Sequence, residues 1–152
     1  MIRIKEGFKS QRLISLSDTK LAEYAKDPII GQLYLRKIGF FPRVKYHFVQ
    51  KPQGVDYAML IYCTDGEGWC EIIGQRYMIR ANQFIILPPG TPLSFGASEH
   101  DPWTIYMSGF TPLDFALFPY LELHRFMFIG AKLAILETEN KFTAYLLLVL
   151  FY

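Results

Sequence analysis

The sequence predicts a mainly β domain, a small β-barrel or sandwich. Two observations carry that expectation. From residue 57 to residue 110, short runs rich in Ile, Leu, Met, Tyr and Phe alternate with clusters of Gly, Pro, Asp and Asn, the pattern of brief strands separated by turns. Within that stretch Pro88-Pro89-Gly90 halts one run outright, because proline lacks the N–H that a ladder needs.

Taken in order, residues 1–16 read as an N-terminal arm with a short strand at Arg12–Leu16. Ser17-Asp18 can cap a helix, Leu21, Tyr24 and Ala25 give that helix one apolar side, and Asp27-Pro28 stops it. Such a helix is expected on the outside of the barrel. Gln32–Ile38 and Val44–Gln50 carry strand-forming residues on either side of Gly39-Phe40-Phe41-Pro42-Arg43, which reads as a turn. Lys51-Pro52-Gln53-Gly54 then leads into the densest part of the pattern. Strands are expected at Tyr57–Thr64, Trp69–Ile73, Arg76–Ile79, Gln83–Leu87, Leu93–Phe95 and Trp103–Phe110, with turns at Asp65–Gly68, Gly74-Gln75 and Ala81-Asn82. If residues 57–73 form a hairpin about Gly66, alternation places Met59, Ile61 and Cys63 on one face with Cys70 and Ile72 across from them, facing the interior. Tyr62 and Glu71 fall on the opposite face.

At these residues a resemblance becomes specific. The run DGEGW, the later ILPPGTP, the tripeptide FGA and the closing DPWTIYMSGF, in that order and spacing, resemble the N-terminal ligand-binding and dimerisation domain of AraC-type (AraC/XylS) transcription regulators. The likeness extends upstream through QLYLRKIGFFPRVKYHF and covers roughly residues 7–110. It implies a cupin-type jelly-roll β-barrel over residues 17–110 together with the preceding helix. Residues 111–152 become a divergent connection followed by a C-terminal dimerisation helix. The stretch 111–140 is shorter than the family's usual connection, and FTAYLLLVLFY, at 142–152, is apolar on almost every side. A helix so greasy is buried on all sides or between chains, and Tyr145, Leu146, Val149 and Leu150 are the candidate dimer residues. The family's DNA-binding domain, with its two helix-turn-helix units, has no counterpart in the pattern after Phe110.

Composition limits the partners. Sixteen basic residues against fourteen acidic give +2, too even a balance to argue for direct contact with nucleic acid or membrane. MIRIKEGFKSQR lacks the apolar core of a secretory signal, and the eleven-residue apolar run at 142–152 is too short to span a bilayer. A cytoplasmic protein is expected, with Cys63 and Cys70 reduced and packed as small hydrophobes.

Catalytic machinery is not visible. Metal-dependent cupin chemistry needs two or three imidazoles and a carboxylate converging on one ion. The three histidines, His47, His100 and His124, are scattered, and the family pattern after PPGxP commonly has a histidine where this chain has Leu93. No GxSxG, GxGxxG or phosphate-cradling loop occurs. The histidines read as surface or locally satisfied side chains, and no cofactor is expected.

The remaining candidate site is the barrel interior. In sugar-responsive members of the resembled family a basic residue of an R-P-x-G segment contacts the ligand, and the matching position here is Lys51. The family's tyrosine after the PPGxxH segment falls on Phe95, and its histidine and stacking tryptophan on the last barrel strand fall on Ile105 and Met107. Most of the sugar-reading polar set is thus replaced by apolar side chains. Ligand-binding candidates are Lys51, Tyr57, Met59, Ile61, Phe95, Ile105 and Met107, with Tyr106 as a second pocket-mouth tyrosine. Phe95, Ile105 and Met107 fit a pocket lining and a plain core equally, Lys51 also fits a solvated strand end, and Trp103 fits a structural plug on the rim. The resemblance implies a small-molecule effector, a carbohydrate among the options, a homodimer, and DNA contact only through a helix-turn-helix domain. Two other readings stand beside it, a free-standing cupin enzyme and a filled-barrel dimerisation module that takes no ligand.

Overall fold

A computed structural model of the chain describes residues 3–111. It contains strand β1 (Arg12–Ser15), helix α1 (Asp18–Lys26), and strands β2 (Tyr34–Phe41), β3 (Phe48–Lys51), β4 (Ala58–Asp65), β5 (Glu67–Ile72), β6 (Gln75–Arg80), β7 (Phe84–Leu87), β8 (Leu93–Ala97) and β9 (Thr104–Thr111). The Ser17 side chain accepts from the Lys20 N–H at the start of α1. At its end the Asp27 carboxylate accepts from the N–H groups of Ile29 and Ile30, each at 2.8 Å. No residue of α1 is buried, and Tyr24 meets Tyr34 edge-on, 6.0 Å between centroids. The expected peripheral helix is present.

The strands form two antiparallel sheets in the orders β1-β2-β9-β4-β7 and β3-β8-β5-β6. Without the added edge strand β1, the eight strands β2–β9 make two interlocked Greek keys, which is the jelly roll. This arrangement corrects the expected hairpin about Gly66. β4 pairs with β7 and β9, whereas β5 pairs with β6 and β8, so the chain turns a corner between sheets there. Gly66, at φ 69°, lies so close to the Asp101–Pro102 backbone that a Cβ would come within 2.7 Å of the Pro102 oxygen. Glu67 N–H donates to Asp101 O at 2.9 Å, fixing the corner.

Two further boundaries differ from expectation. Gly39, Phe40 and Phe41 continue β2 because β9 offers them partners, Met107, Tyr106 and Ile105. The turn therefore comes later, and β3 starts only at Phe48. The β5–β6 hairpin turns on Ile73-Gly74 instead of Gly74-Gln75, since Ile72 and Gln75 are already paired. Both turn residues have positive φ, 51° and 77°, as a type I′ turn requires.

Alternation holds despite the corner. Met59, Ile61 and Cys63 of β4 and Cys70 and Ile72 of β5 all enter the central core, from facing sheets rather than from one hairpin. Each fully buried Ile or Leu there contributes about 1.5–3 kcal/mol. The outer face of the larger sheet carries a second apolar group, Ala58, Leu60, Tyr62 and Phe110, flanked by Leu35, Phe84, Ile86 and Tyr106. Tyr62 thus points away from the lumen, as expected. Glu71 is on the outside of the smaller sheet, 3.0 Å from Arg76.

Candidate ligand-binding site

The lumen has two unlike ends. At one, Trp103 precedes β9 and is 0% exposed. Gly68 lies beneath it, and a Cβ at that position would collide with Trp103 Cε3, so the indole occupies the space a side chain would need. Trp103 Nε1–H donates to Nδ1 of His47 at 3.3 Å. His47 is 2% exposed, and its ring stacks on Phe41 (5.5 Å, 17°) and meets Phe95 and Phe8 edge-on at 5.6 and 5.4 Å. Phe8 comes from the N-terminal arm, which is held by Ile4 N–H to Tyr46 O and Phe48 N–H to Ile4 O, both 2.9 Å.

His47 corrects the reading of a surface or locally satisfied histidine. With Nδ1 accepting, the neutral ring carries its proton on Nε2, and that N–H has no hydrogen-bond partner among the described residues. Burial lowers the imidazole pKa from 6.5 to about 4, against a smaller raising effect of the Lys5 backbone, which does not reach hydrogen-bond geometry with Nε2. The ring is neutral near pH 7 and acts as part of the plug. His100 is exposed in the loop between β8 and Trp103, and His124 lies outside the described residues. The thiols of Cys63 and Cys70 are free and buried, one in each sheet. Burial pushes Cys63 up to about 11 and raises Cys70 as well. Among the described residues no group of three or more His, Cys, Asp or Glu side chains is placed to share a metal ion.

The other end is rimmed by β3, the β3–β4 connection and the start of β2. Of the candidate residues, Met59, Ile61, Phe95, Ile105 and Met107 come together in the central core. Phe95 belongs to the plug side, Met59, paired with Gly109, to the opposite side, and Met107, paired with Ile61 and Gly39, lies between them. Tyr57 packs against the edge of this core. Lys51 ends β3, paired with Leu93 and half-buried. Tyr106 sits on the outer face, tilted against Phe40 at 4.8 Å, which removes it from the mouth of the lumen. The candidate dimer residues Tyr145, Leu146, Val149 and Leu150 lie outside the described residues.

Two residues near the lumen were missed from sequence. His47 stands in a connection and has no pattern of its own. Lys37 lies on the inward side of β2 with Gly39 and Phe41, and its ammonium is 4.8 Å from the Tyr57 ring centroid. Its period-two spacing from Phe41 was a usable signal, lost when the strand was ended at Ile38.

Eight strands in jelly-roll order, packed with aromatic rings at one end, make a small barrel. Residues 38–125 match the family described as the AraC-like ligand binding domain, and the chain belongs to that family. It is 28% identical over 90 residues to the MmsAB operon regulatory protein of Pseudomonas aeruginosa, an alignment that covers 57% of this chain and 29% of that protein. The chain therefore spans less than a third of that relative's length. Among solved structures it overlaps YhaK from Escherichia coli (17% identity, TM-score 0.46, 68% of this chain and 45% of that one). It also overlaps a cupin superfamily protein from Desulfitobacterium hafniense (11% identity, TM-score 0.42, 73% and 84%). The fold assignment rests on the strand order. No helix among the described residues is long and apolar enough to cross a membrane.

Proposed function

We propose that this domain receives a small-molecule effector in the barrel and, as part of a transcription regulator, passes that occupancy to a DNA-binding unit outside the described residues. The observation that carries the reading is the family match, which takes in nearly the whole jelly roll from late β2 through β9. Regulation of an operon by the Pseudomonas relative supports it. A ligand can act only through a difference in affinity between two arrangements of the protein. Here those arrangements would differ in how the N-terminal arm meets the 46–48 segment and how two copies pair, with Tyr145, Leu146, Val149 and Leu150 as the proposed dimer contacts. The lumen chemistry supports an effector with a large apolar portion over a free sugar. Aldose recognition needs a dense set of hydrogen-bonding groups, whereas Met59, Ile61, Ile105 and Met107 offer none. The reading is non-catalytic and cytoplasmic.

The test is a DNA gel-shift with a longer protein containing this domain, run beside thermal shift of the 152-residue chain on one compound panel. Compounds that raise the melting temperature are expected to change DNA retention. Indifference of DNA binding to every compound the barrel takes would defeat the reading. A filled-barrel dimerisation module is favoured by one observation, the near-complete burial of Ile61, Cys63, Cys70 and Ile105 in the lumen. Dimerisation with no ligand-induced shift would select it.

A further inference from the structure

We infer that the free edge of β1 is an interface for a second copy of this chain, the two β1 strands pairing antiparallel about a two-fold axis at Ile14. This contact is separate from the one proposed at residues 145–150, and it does not rest on the effector reading.

β1 is an outermost strand of the five-stranded sheet, in unbroken register with β2 from Arg12–Phe40 to Ser15–Lys37. One step further along that register, Leu16 N–H donates to Arg36 O at 2.8 Å. In an antiparallel pair alternate residues bond the neighbouring strand. Arg12 and Ile14 therefore direct their backbone groups at β2, while Leu13 and Ser15 turn theirs away from the sheet. Those outward N–H and C=O groups have no partner among the described residues. The other three edges are guarded. The arm lies against β3, where Ile4 O accepts from Phe48 N–H at 2.9 Å. β6 carries the exposed charges of Arg76 and Arg80, and no residue of β7 is exposed. Every residue of β1 is exposed, Leu13 by 40% and Ile14 by 56%, and the strand has no proline, lysine or bulge to blunt its edge.

The strand is complementary to itself. With Ile14 on the axis, Leu13 faces Ser15 of the second copy, and the same pair recurs on the other side of the axis. Each such pair exchanges both of its N–H···O bonds, which uses the groups left open. Ile14 meets Ile14 of the second copy at the closely spaced, non-bonded position, so an exposed isoleucine is covered by its own kind. Arg12 stands across from Leu16 of the second copy, which keeps the two guanidinium groups at opposite ends of the contact. Ile14, Ile38, Ser108, Leu60 and Ile86 already form one row across the outer face. Pairing extends that row and joins two five-stranded sheets into one. A contact this short is small beside the roughly 800 Å² per partner of a standard interface, so it is a reversible, micromolar association.

The test is oxidative cross-linking of the full chain carrying Ile14→Cys, beside sedimentation velocity across a micromolar concentration series. Non-bonded antiparallel partners stand about 4.5 Å apart at Cα, within reach of a disulfide, and the native Cys63 and Cys70 are buried. Ile14→Cys is expected to give a covalent dimer. Arg12→Cys alone should not, whereas Arg12→Cys mixed with Leu16→Cys should. Ile14→Lys, which sets two ammonium groups face to face, should weaken association by about tenfold or more with an unchanged urea midpoint. Cross-linking of Arg12→Cys as readily as Ile14→Cys would overturn the register and the interface with it. So would association that Ile14→Lys leaves unmoved, whether or not Leu146→Lys abolishes it, or a monomer at every concentration.

Discussion

At one end of this barrel four rings close around a buried imidazole, and at the other Lys37 and Lys51 pair with Gly109 and Leu93 at the border of the core. The same alternation rule directs side chains inward at both ends, so the difference lies in what the sequence places at those positions. Aromatic rings reached from the arm (Phe8), from β2 (Phe41), from β8 (Phe95) and from the segment before β9 (Trp103) fill the first end. At the second, Gly109 supplies no side chain and the long, charged Lys37 and Lys51 keep their heads near water. Stability should therefore respond to changes at the plug, and ligand chemistry to changes at the rim.

The largest expected effect is at the plug. Trp103→Ala should cost about 3–5 kcal/mol, since the indole is wholly buried and its N–H caps His47. Urea denaturation would read this as a lower midpoint, and a loss below about 1 kcal/mol would break the contrast between the ends. Next comes the imidazole. The folded pKa of about 4 lies below the ordinary 6.5, so in that window the unfolded chain takes up a proton that the folded chain refuses. Stability is intact above pH 6.5 and falls as pH drops toward 4, by up to about 3 kcal/mol from this group. His47→Gln keeps an acceptor for Trp103 without the titration. The slope of stability against pH between 6.5 and 4 should be shallower in that variant, and an unchanged slope would show that the ring is not the titrating group.

Smaller effects belong to the lysine end. Ile73, in the hairpin beyond the Ile72–Leu93–Lys51 row, holds φ 51° while 83% exposed. A β-branched residue gains nothing there and is strained by the left-handed backbone. Ile73→Asn should stabilise the domain by about 0.5–1 kcal/mol, measured by thermal or urea melts. Smallest of all, Lys37→Met and Lys51→Met should each change stability by no more than about 0.5 kcal/mol. A loss of several kcal/mol in either would mean that the rim is structural and would erase the proposed division of labour.

Much of the plan was legible in residues 57–110. Turn chemistry located Ala81-Asn82, where Asn82 takes φ 67°, and period-two alternation put Met59, Ile61, Cys63, Cys70 and Ile72 in the core. The likeness of DGEGW, ILPPGTP and DPWTIYMSGF led to the family that residues 38–125 match. The errors share a cause. Gly39-Phe40-Phe41 resembles a break, yet β9 pairs with all three. Asp65–Gly68 resembles a hairpin, yet β4 and β5 find different partners. In each case local propensity was overridden by pairing with a strand distant in sequence.

What this sequence determines by itself is local: which residues extend, where the chain turns, and which alternate side chains are apolar, because steric limits and hydrogen-bonding capacity act over a few residues. Only the tertiary structure decides which strands become neighbours, since that depends on closing two sheets over one core. His47 is buried and Lys37 faces a lumen because strands distant in sequence enclose them, and no window of a few residues contains that information.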